Sequence, residues 1–188
     1  MRIELFSTPI YVVDVPEEDR KIIDTEVETV FQNSKFKNEF TDLKNTESTP
    51  VFGNVLHEYE FTKLKTVIST VLYEYYYSIH QTPPDFPVGF QNSWLTRTNT
   101  DHHVQVHHHQ GVGISGVYYH KVDKKSGNLY FRSSDKFMEC SRFYKRKQDY
   151  EVQPQCGRLV LFPSWLDHGA RSSSSDNPRI SLSFNIGC

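Results

Sequence analysis

The sequence predicts a mostly β protein, a sandwich or jelly roll of short strands with helices packed on one sheet. Three observations carry that expectation. Helical periodicity is confined to the first 82 residues, Pro83, Pro84 and Pro87 close that part, and from residue 88 onward short segments alternate or run apolar between Gly, Ser, Asn and Pro. A length of 188 residues is one domain's worth at roughly 150 residues per domain, and suffices to bury about 70% of the unfolded surface. The expectation is one domain over 1–188, helical over 1–82 and with a β core over 86–188.

In chain order, residues 3–6 and 10–13 predict edge strands. Asp14 and Glu17 stand at capping-box spacing ahead of Ile22, Ile23, Val27, Val30 and Phe31, which predicts a helix over 16–33. The polar stretch to about residue 50 reads as loop. After Thr62, Leu64, Val67, Ile68, Val71, Leu72, Tyr75, Tyr76 and Ile79 fall on one face of about five helical turns. A helix with that face must lie on something flat, and the aromatic cluster at 73–77 is read as its packing against a sheet. Strands are expected near 88–97, 103–109, 113–122, 127–133, 150–154, 158–163 and 179–186, with another around 168–172.

Composition removes several function classes. Lys and Arg number 21 against 23 Asp and Glu, a formal charge of −2, with no basic stripe of the kind that binds nucleic acid. The local cluster Arg142, Lys145, Arg146 and Lys147 reads as a solvated loop. No apolar run approaches the ~20 residues of a membrane span, and Glu4 and Asp14 interrupt the opening where a signal peptide is continuously apolar, so a cytoplasmic protein is expected. Cys140, Cys156 and Cys188 fit no zinc or redox spacing and read as free thiols.

The chemistry concentrates in histidine. Five of the nine histidines lie in the run DHHVQVHHHQG, between His102 and His109. On a strand, period 2 places His103, His107 and His109 on one face and His108 on the other, so His107 and His109 can converge on one metal ion. By itself the pair is an ordinary surface or core feature. A third ligand is offered by His168, at the end of the apolar segment GRLVLFPSWLDH. On the last strand Arg179, Ser181, Ser183 and Asn185 share one face and Ile180, Leu182, Phe184 and Ile186 the other. An arginine there with a same-face serine can grip a carboxylate through two charge-assisted hydrogen bonds. The combination describes a metal with an anionic small molecule beside it.

The segments SWL (93–95), HHH (107–109), SGVYY (115–119), SGNLYF (126–131), GRLVLFPSWLDH (157–168) and RISLSFN (179–185), in this order and spacing, resemble the non-haem iron(II), 2-oxoglutarate-dependent oxygenases. More narrowly, they resemble a small group from bacteria and phages related to the prolyl hydroxylases. The resemblance implies a double-stranded β-helix with Fe(II) held on three protein ligands, 2-oxoglutarate as cosubstrate, and oxidative decarboxylation to succinate coupled to hydroxylation of a substrate. Position by position it assigns His107 and His168 to the metal and Arg179, assisted by Ser181, to the distal carboxylate. Tyr118 and Tyr119 fall on opposite faces of their strand, so at most one points at the cosubstrate; Tyr118, which shares a face with Ile114 and Gly116, is carried forward, with sandwich core as its other reading.

One departure stands out. The superfamily usually has Asp or Glu two residues after the first ligand histidine, and here the residue is His109. Three ligand sets follow: three histidines with His109 included, a carboxylate brought from elsewhere such as Asp101, or two histidines and an open position. His109 is the assignment carried forward. Asp167 reads as a turn residue or an acceptor orienting His168, His102, His103 and His108 as solvent or supporting groups, and Trp94 and Trp165 as core or pocket mouth. Other function classes remain: a zinc hydrolase or hydratase, a cupin-type dioxygenase without cosubstrate, or a non-catalytic jelly-roll binding module. The loops at 34–60 and 134–150 suit a lid over a peptidyl, amino-acid or other polar substrate.

Overall fold

The computed structural model describes residues 7–33, 46–133 and 149–187. Strand β1 (Tyr11–Asp14), helix α1 (Glu17–Asn33), strand β2 (Thr46–Ser48) and helices α2 (Val55–Glu58) and α3 (Thr62–His80) precede the β core. The core strands are β3 (Gly89–Thr98), β4 (Val104–His107), β5 (Ile114–Lys121), β6 (Leu129–Arg132), β7 (Asp149–Val152), β8 (Arg158–Pro163), β9 (His168–Ala170) and β10 (Arg179–Gly187). They form a six-stranded sheet in the order β1-β8-β5-β10-β3-β2 and a four-stranded sheet in the order β4-β9-β6-β7, with antiparallel pairing throughout. The chain alternates between the sheets as it winds, which is the double-stranded β-helix, or jelly roll.

Two apolar clusters hold the layers. Ile180, Leu182, Phe184 and Ile186 of β10 pack with Leu95, Tyr118, Leu159 and Leu161 beneath Ile23, Val27, Leu64 and Ile68 of the helices. Between the sheets, Val117 and Tyr119 meet Leu129, Phe131, Val160 and Phe162. The long helices are tied by a carboxylate: Glu26 of α1 accepts the Lys63 and Leu64 N–H groups at 2.7 and 3.0 Å, satisfying donors that the first turn of α3 leaves open. At the other end Gln81 takes the left-handed conformation and closes α3 on the Tyr77 carbonyl. Gly157, with φ of +81°, makes the turn into β8 that a side chain would strain.

Several local expectations change. Asp14 does not cap α1; its carboxylate grips the Arg158 guanidinium at 2.7 and 2.8 Å, and α1 begins after Pro16. The region expected to be loop contains β2, which pairs with the edge of β3, and α2, whose Leu56 N–H is taken by the Ser93 hydroxyl of β3 at 2.9 Å. Of the 73–77 aromatics only Tyr75 is core; Tyr73 and Tyr77 stack on each other on the exposed side of α3. Cys156 is a free thiol. The strand expected at 3–6, the basic cluster at 142–147, Cys140, Cys188 and nearly all of the 134–150 loop lie outside the described residues. Among the described residues no helix is long and apolar enough to cross a membrane.

Candidate functional site

His107 is the last residue of β4 and lies directly opposite His168, the first residue of β9, in the antiparallel register. That register, with an irregularity between Val104 and His107, brings two side chains far apart in sequence to a ring-centroid distance of 4.4 Å. His109 arrives differently from the expectation. The strand ends at His107, and the backbone N–H of His109 bonds the Ser164 carbonyl at 2.8 Å, which turns the third ring back onto the other two at 5.2 Å from each. One ring nitrogen from each of His107, His109 and His168 then lies within 4.8 Å of the others. His107 is exposed, His109 half-buried and His168 buried, so the cluster opens to solvent on one side.

Each ring has its Nδ1 engaged. His107 Nδ1–H donates to the Gln105 carbonyl at 2.9 Å, His168 Nδ1–H to the Leu166 carbonyl at 2.8 Å, and His109 Nδ1–H to Asn185 Oδ1 at 2.7 Å. The three Nε2 lone pairs are left to converge, as metal-binding histidines require. Burial, reinforced by the neighbouring His107, pushes the His168 pKa down to about 3, and burial lowers that of His109 as well. Both rings are therefore neutral at pH 7, the form in which an imidazole can bind a metal.

Arg179, expected beside the metal, is 4% exposed. Its Nη1 donates to the Ser126 carbonyl at 3.2 Å and its Nε has no partner. The other arginines form a contrast. Arg20, Arg97, Arg132, Arg158 and Arg171, all nearer the surface, each pair with a carboxylate, whereas none of the described carboxylates pairs with Arg179. A buried guanidinium without an anion is costly, and a carboxylate ligand would supply the missing charge. Ser181, buried on the same face, stands opposite Tyr119 of β5. Burial raises the Tyr119 phenol to about 12, partly offset by the charge of Arg179, so it stays a hydrogen-bond donor. Thr98, opposite Arg179 on β3, and His102 each bury a polar side-chain atom without a partner. Burial, then the charge of Arg179, pushes the His102 pKa down to about 4. The donor set fits a metal bound by imidazoles together with an anionic carboxylate.

Other expectations are redrawn. Tyr118 is not brought to the site: it is fully buried on the opposite face of β5, in the cluster beneath the helices, with its hydroxyl unpartnered. Ile114, Gly116 and Tyr118 do share a face, but it is the helix face, because Gly116 lies under the Phe184 ring where a Cβ would come within 2.3 Å. Tyr119 takes the inner position. Asp101 does not join the cluster; it sits in a turn at φ of +63° with its N–H on the Ser173 carbonyl. Asp167 bonds His108 Nδ1 at 3.0 Å rather than His168. His102 is buried rather than solvated, and His103 is exposed outside the strand. Trp94 lies 6.1 Å from the His109 ring, and Trp165 is exposed. Asn185, Ser115 and Tyr119 were legible as inward positions by period 2, but nothing in the sequence ties them to particular partners.

Solved structures with this fold include HygX from Streptomyces hygroscopicus, crystallised with nickel, 2-oxoglutarate and hygromycin B; it is 11% identical with a TM-score of 0.66 over 96% of this chain and 83% of that one. A prolyl hydroxylase from Trichoplax adhaerens, in complex with a peptide fragment of hypoxia inducible factor, is 11% identical with a TM-score of 0.65 over 95% and 83%. The α-ketoglutarate-dependent epimerase SnoN of nogalamycin biosynthesis is 10% identical with a TM-score of 0.69 over 96% and 76%. At such identities the likeness establishes the jelly roll alone. Among curated proteins none matches the chain. A family model described as "Putative 2OG-Fe(II) oxygenase" matches residues 92–185, half of the sequence. That span runs from the middle of β3 into the last strand and contains the whole histidine cluster and Arg179, and the chain belongs to this 2OG-Fe(II) oxygenase family, whose metal is iron(II) and whose cosubstrate is 2-oxoglutarate.

Proposed function

We propose that the protein is a dioxygenase that hydroxylates a peptidyl, amino-acid or other polar substrate with release of succinate and CO2. In this reading His107, His109 and His168 hold the iron, and Arg179 with Ser181 holds the distal carboxylate of 2-oxoglutarate. The observation that carries it is the pairing of three imidazoles, each with its Nδ1 engaged, with a buried guanidinium that no carboxylate among the described residues neutralises. A zinc hydrolase has no use for that guanidinium. Bound together, iron(II) and 2-oxoglutarate supply the oxidative decarboxylation that is coupled to attack on a substrate C–H bond.

The residues do the positioning. The Nδ1 hydrogen bonds orient the three imidazoles before metal arrives, which reduces the entropy lost on binding it. Arg179, fixed from behind by the Ser126 carbonyl, points its free N–H groups at one carboxylate, and the Tyr119 phenol and Ser181 hydroxyl lie on the same inner face. His109 in place of a carboxylate leaves the metal one unit more positive, which favours a dianionic cosubstrate. The open side of the cluster, at exposed His107, is where a substrate reaches it.

Anaerobic addition of iron(II) and then 2-oxoglutarate is expected to give a visible charge-transfer band, and admission of oxygen to release succinate. Zinc gives no band. Tight iron binding with neither band nor succinate would overturn the proposal in favour of a metal enzyme without cosubstrate. Product analysis separates hydroxylation from the other outcomes found on this fold, which include epimerisation.

A further inference from the structure

We infer that Asn185 and Asn92 are positioning residues for the third metal ligand: together they hold His109 in the Nδ1–H form and so present its Nε2 to the metal. The inference rests on the reading of the three imidazoles as a metal centre. His107 and His168 each find their acceptor on a carbonyl two residues earlier, so the local chain fixes them. For His109 the acceptor is Asn185, 76 residues away. Its pose is therefore a property of the tertiary structure.

A neutral imidazole has two tautomers, and a side-chain amide has two flipped orientations. Asn185 turned around would offer its NH2 to His109, select the Nε2–H tautomer and aim a proton at the metal position. The neighbouring residues forbid that turn. Asn92, Asn185 and Ser115 form one row across the adjacent strands β3, β10 and β5. At one end stands the Val51 carbonyl, which can only accept, so Asn92 must donate its Nδ2 to it at 2.9 Å. The Asn92 Oδ1 is then left facing Asn185, whose Nδ2 donates to it at 2.8 Å. The Asn185 Oδ1 is left facing the other way, where it accepts the His109 Nδ1–H at 2.7 Å; the Ser115 hydroxyl, 2.7 Å from the same oxygen, 2.9 Å from Ser164 Oγ and 3.1 Å from His109 Nδ1, can donate to either oxygen and is compatible with the Nδ1–H form. Each bond fixes the sense of the next, and Asn185 is buried, so water does not compete.

The acceptors behind all three ligands, Gln105 O, Leu166 O and Asn185 Oδ1, are uncharged. Asn185 therefore orients His109 without offsetting the metal's charge. A carboxylate of the same shape at this position would keep the acceptor for His109 and add charge while losing the donor to Asn92 Oδ1, whereas leucine keeps the volume and removes both. The two substitutions thus separate positioning from packing.

Long-range 1H–15N NMR of the metal-free wild-type protein is expected to show His109 protonated at Nδ1; protonation at Nε2 overturns the inference. Cobalt(II) titration followed by absorbance is expected to show Asn185→Leu weakened 10- to 100-fold, Asn185→Asp weakened less than Asn185→Leu, and Asn92→Ala intermediate with His109 in mixed tautomers. If Asn185→Leu binds cobalt like wild type while Asn185→Asp does not, the residue packs the sheet and the inference falls. A wild type that binds no cobalt removes the metal centre itself, and the tautomer spectrum tells that failure apart from failure of the relay.

Discussion

The two faces of the six-stranded sheet are made by the same strands and do opposite things. On β10 the outward residues Ile180, Leu182, Phe184 and Ile186 are buried under α1 and α3, against apolar partners on every side. The inward residues Arg179, Ser181 and Asn185 are as deeply buried, yet they are polar, and Arg179 retains an unpartnered atom. Burial alone therefore does not distinguish core from site. The difference is in what is left open: the helix face buries apolar side chains around the unpartnered Tyr118 hydroxyl, whereas the inner face buries a charged guanidinium with an unpartnered Nε, a group that an anionic ligand would satisfy.

That contrast can be broken experimentally. On the helix face, Leu182→Ala opens a cavity in a fully buried position and is expected to cost about 2–5 kcal/mol of stability, measured by urea unfolding, while 2-oxoglutarate affinity of the folded fraction is unchanged. On the inner face, Arg179→Ala is expected to weaken 2-oxoglutarate at least about thirtyfold in anaerobic calorimetry, from loss of charge-assisted hydrogen bonds of roughly 2 kcal/mol or more. The ligand-free variant should be no less stable than wild type, because a buried unpaired charge has been removed. A large loss of stability there would mean that Arg179 belongs to the core after all.

A smaller effect lies in pH. The folded pKa values of His102 and His168, about 4 and about 3, are below the ~6.5 of an unfolded histidine, so between these values the unfolded chain takes up protons that the folded one does not. Stability of the metal-free protein is expected to fall as pH drops from about 6.5 to about 4, by roughly 1.4 kcal/mol per pH unit for each histidine. His102→Gln should remove one proton's worth of that slope. Carboxylates held low by ion pairs, such as Asp14 with Arg158, add a loss of the same sign at lower pH. The smallest effect is expected of Tyr118→Phe: removal of an unpartnered hydroxyl from the helix-side core should change stability by about 1 kcal/mol or less and leave 2-oxoglutarate affinity alone. A clear loss of that affinity would return Tyr118 to the site.

The elements that announced themselves were those with enough residues to show a period. Helix α3 spans nineteen residues and β10 nine, and in both the apolar spacing sets the buried face whatever the neighbours are. The short elements carried no such signal. Strand β2 is three polar residues that become a strand by pairing with β3, and α2 is a single turn held by the Ser93 hydroxyl. The Asp14–Glu17 spacing suggested a cap, but Arg158, 144 residues on, draws the Asp14 carboxylate instead. The same limit decided Tyr118 against Tyr119, since alternation separates the two side chains without saying which side the helices cover.

For the candidate site the division is similar. The residue types and their order were enough to single out His107, His109, His168 and Arg179, because imidazole and guanidinium chemistry is carried by the side chain itself. How they meet was not written locally. Register across β4 and β9 puts His107 opposite His168, a turn onto the Ser164 carbonyl brings in His109, and a row of amides across three strands sets the face that His109 presents. Sequence by itself determined which chemistry is present and the alternation that buries it. Only the tertiary structure decided the partners, because strand pairing, and with it every hydrogen bond between residues distant in the chain, is fixed by the folded whole.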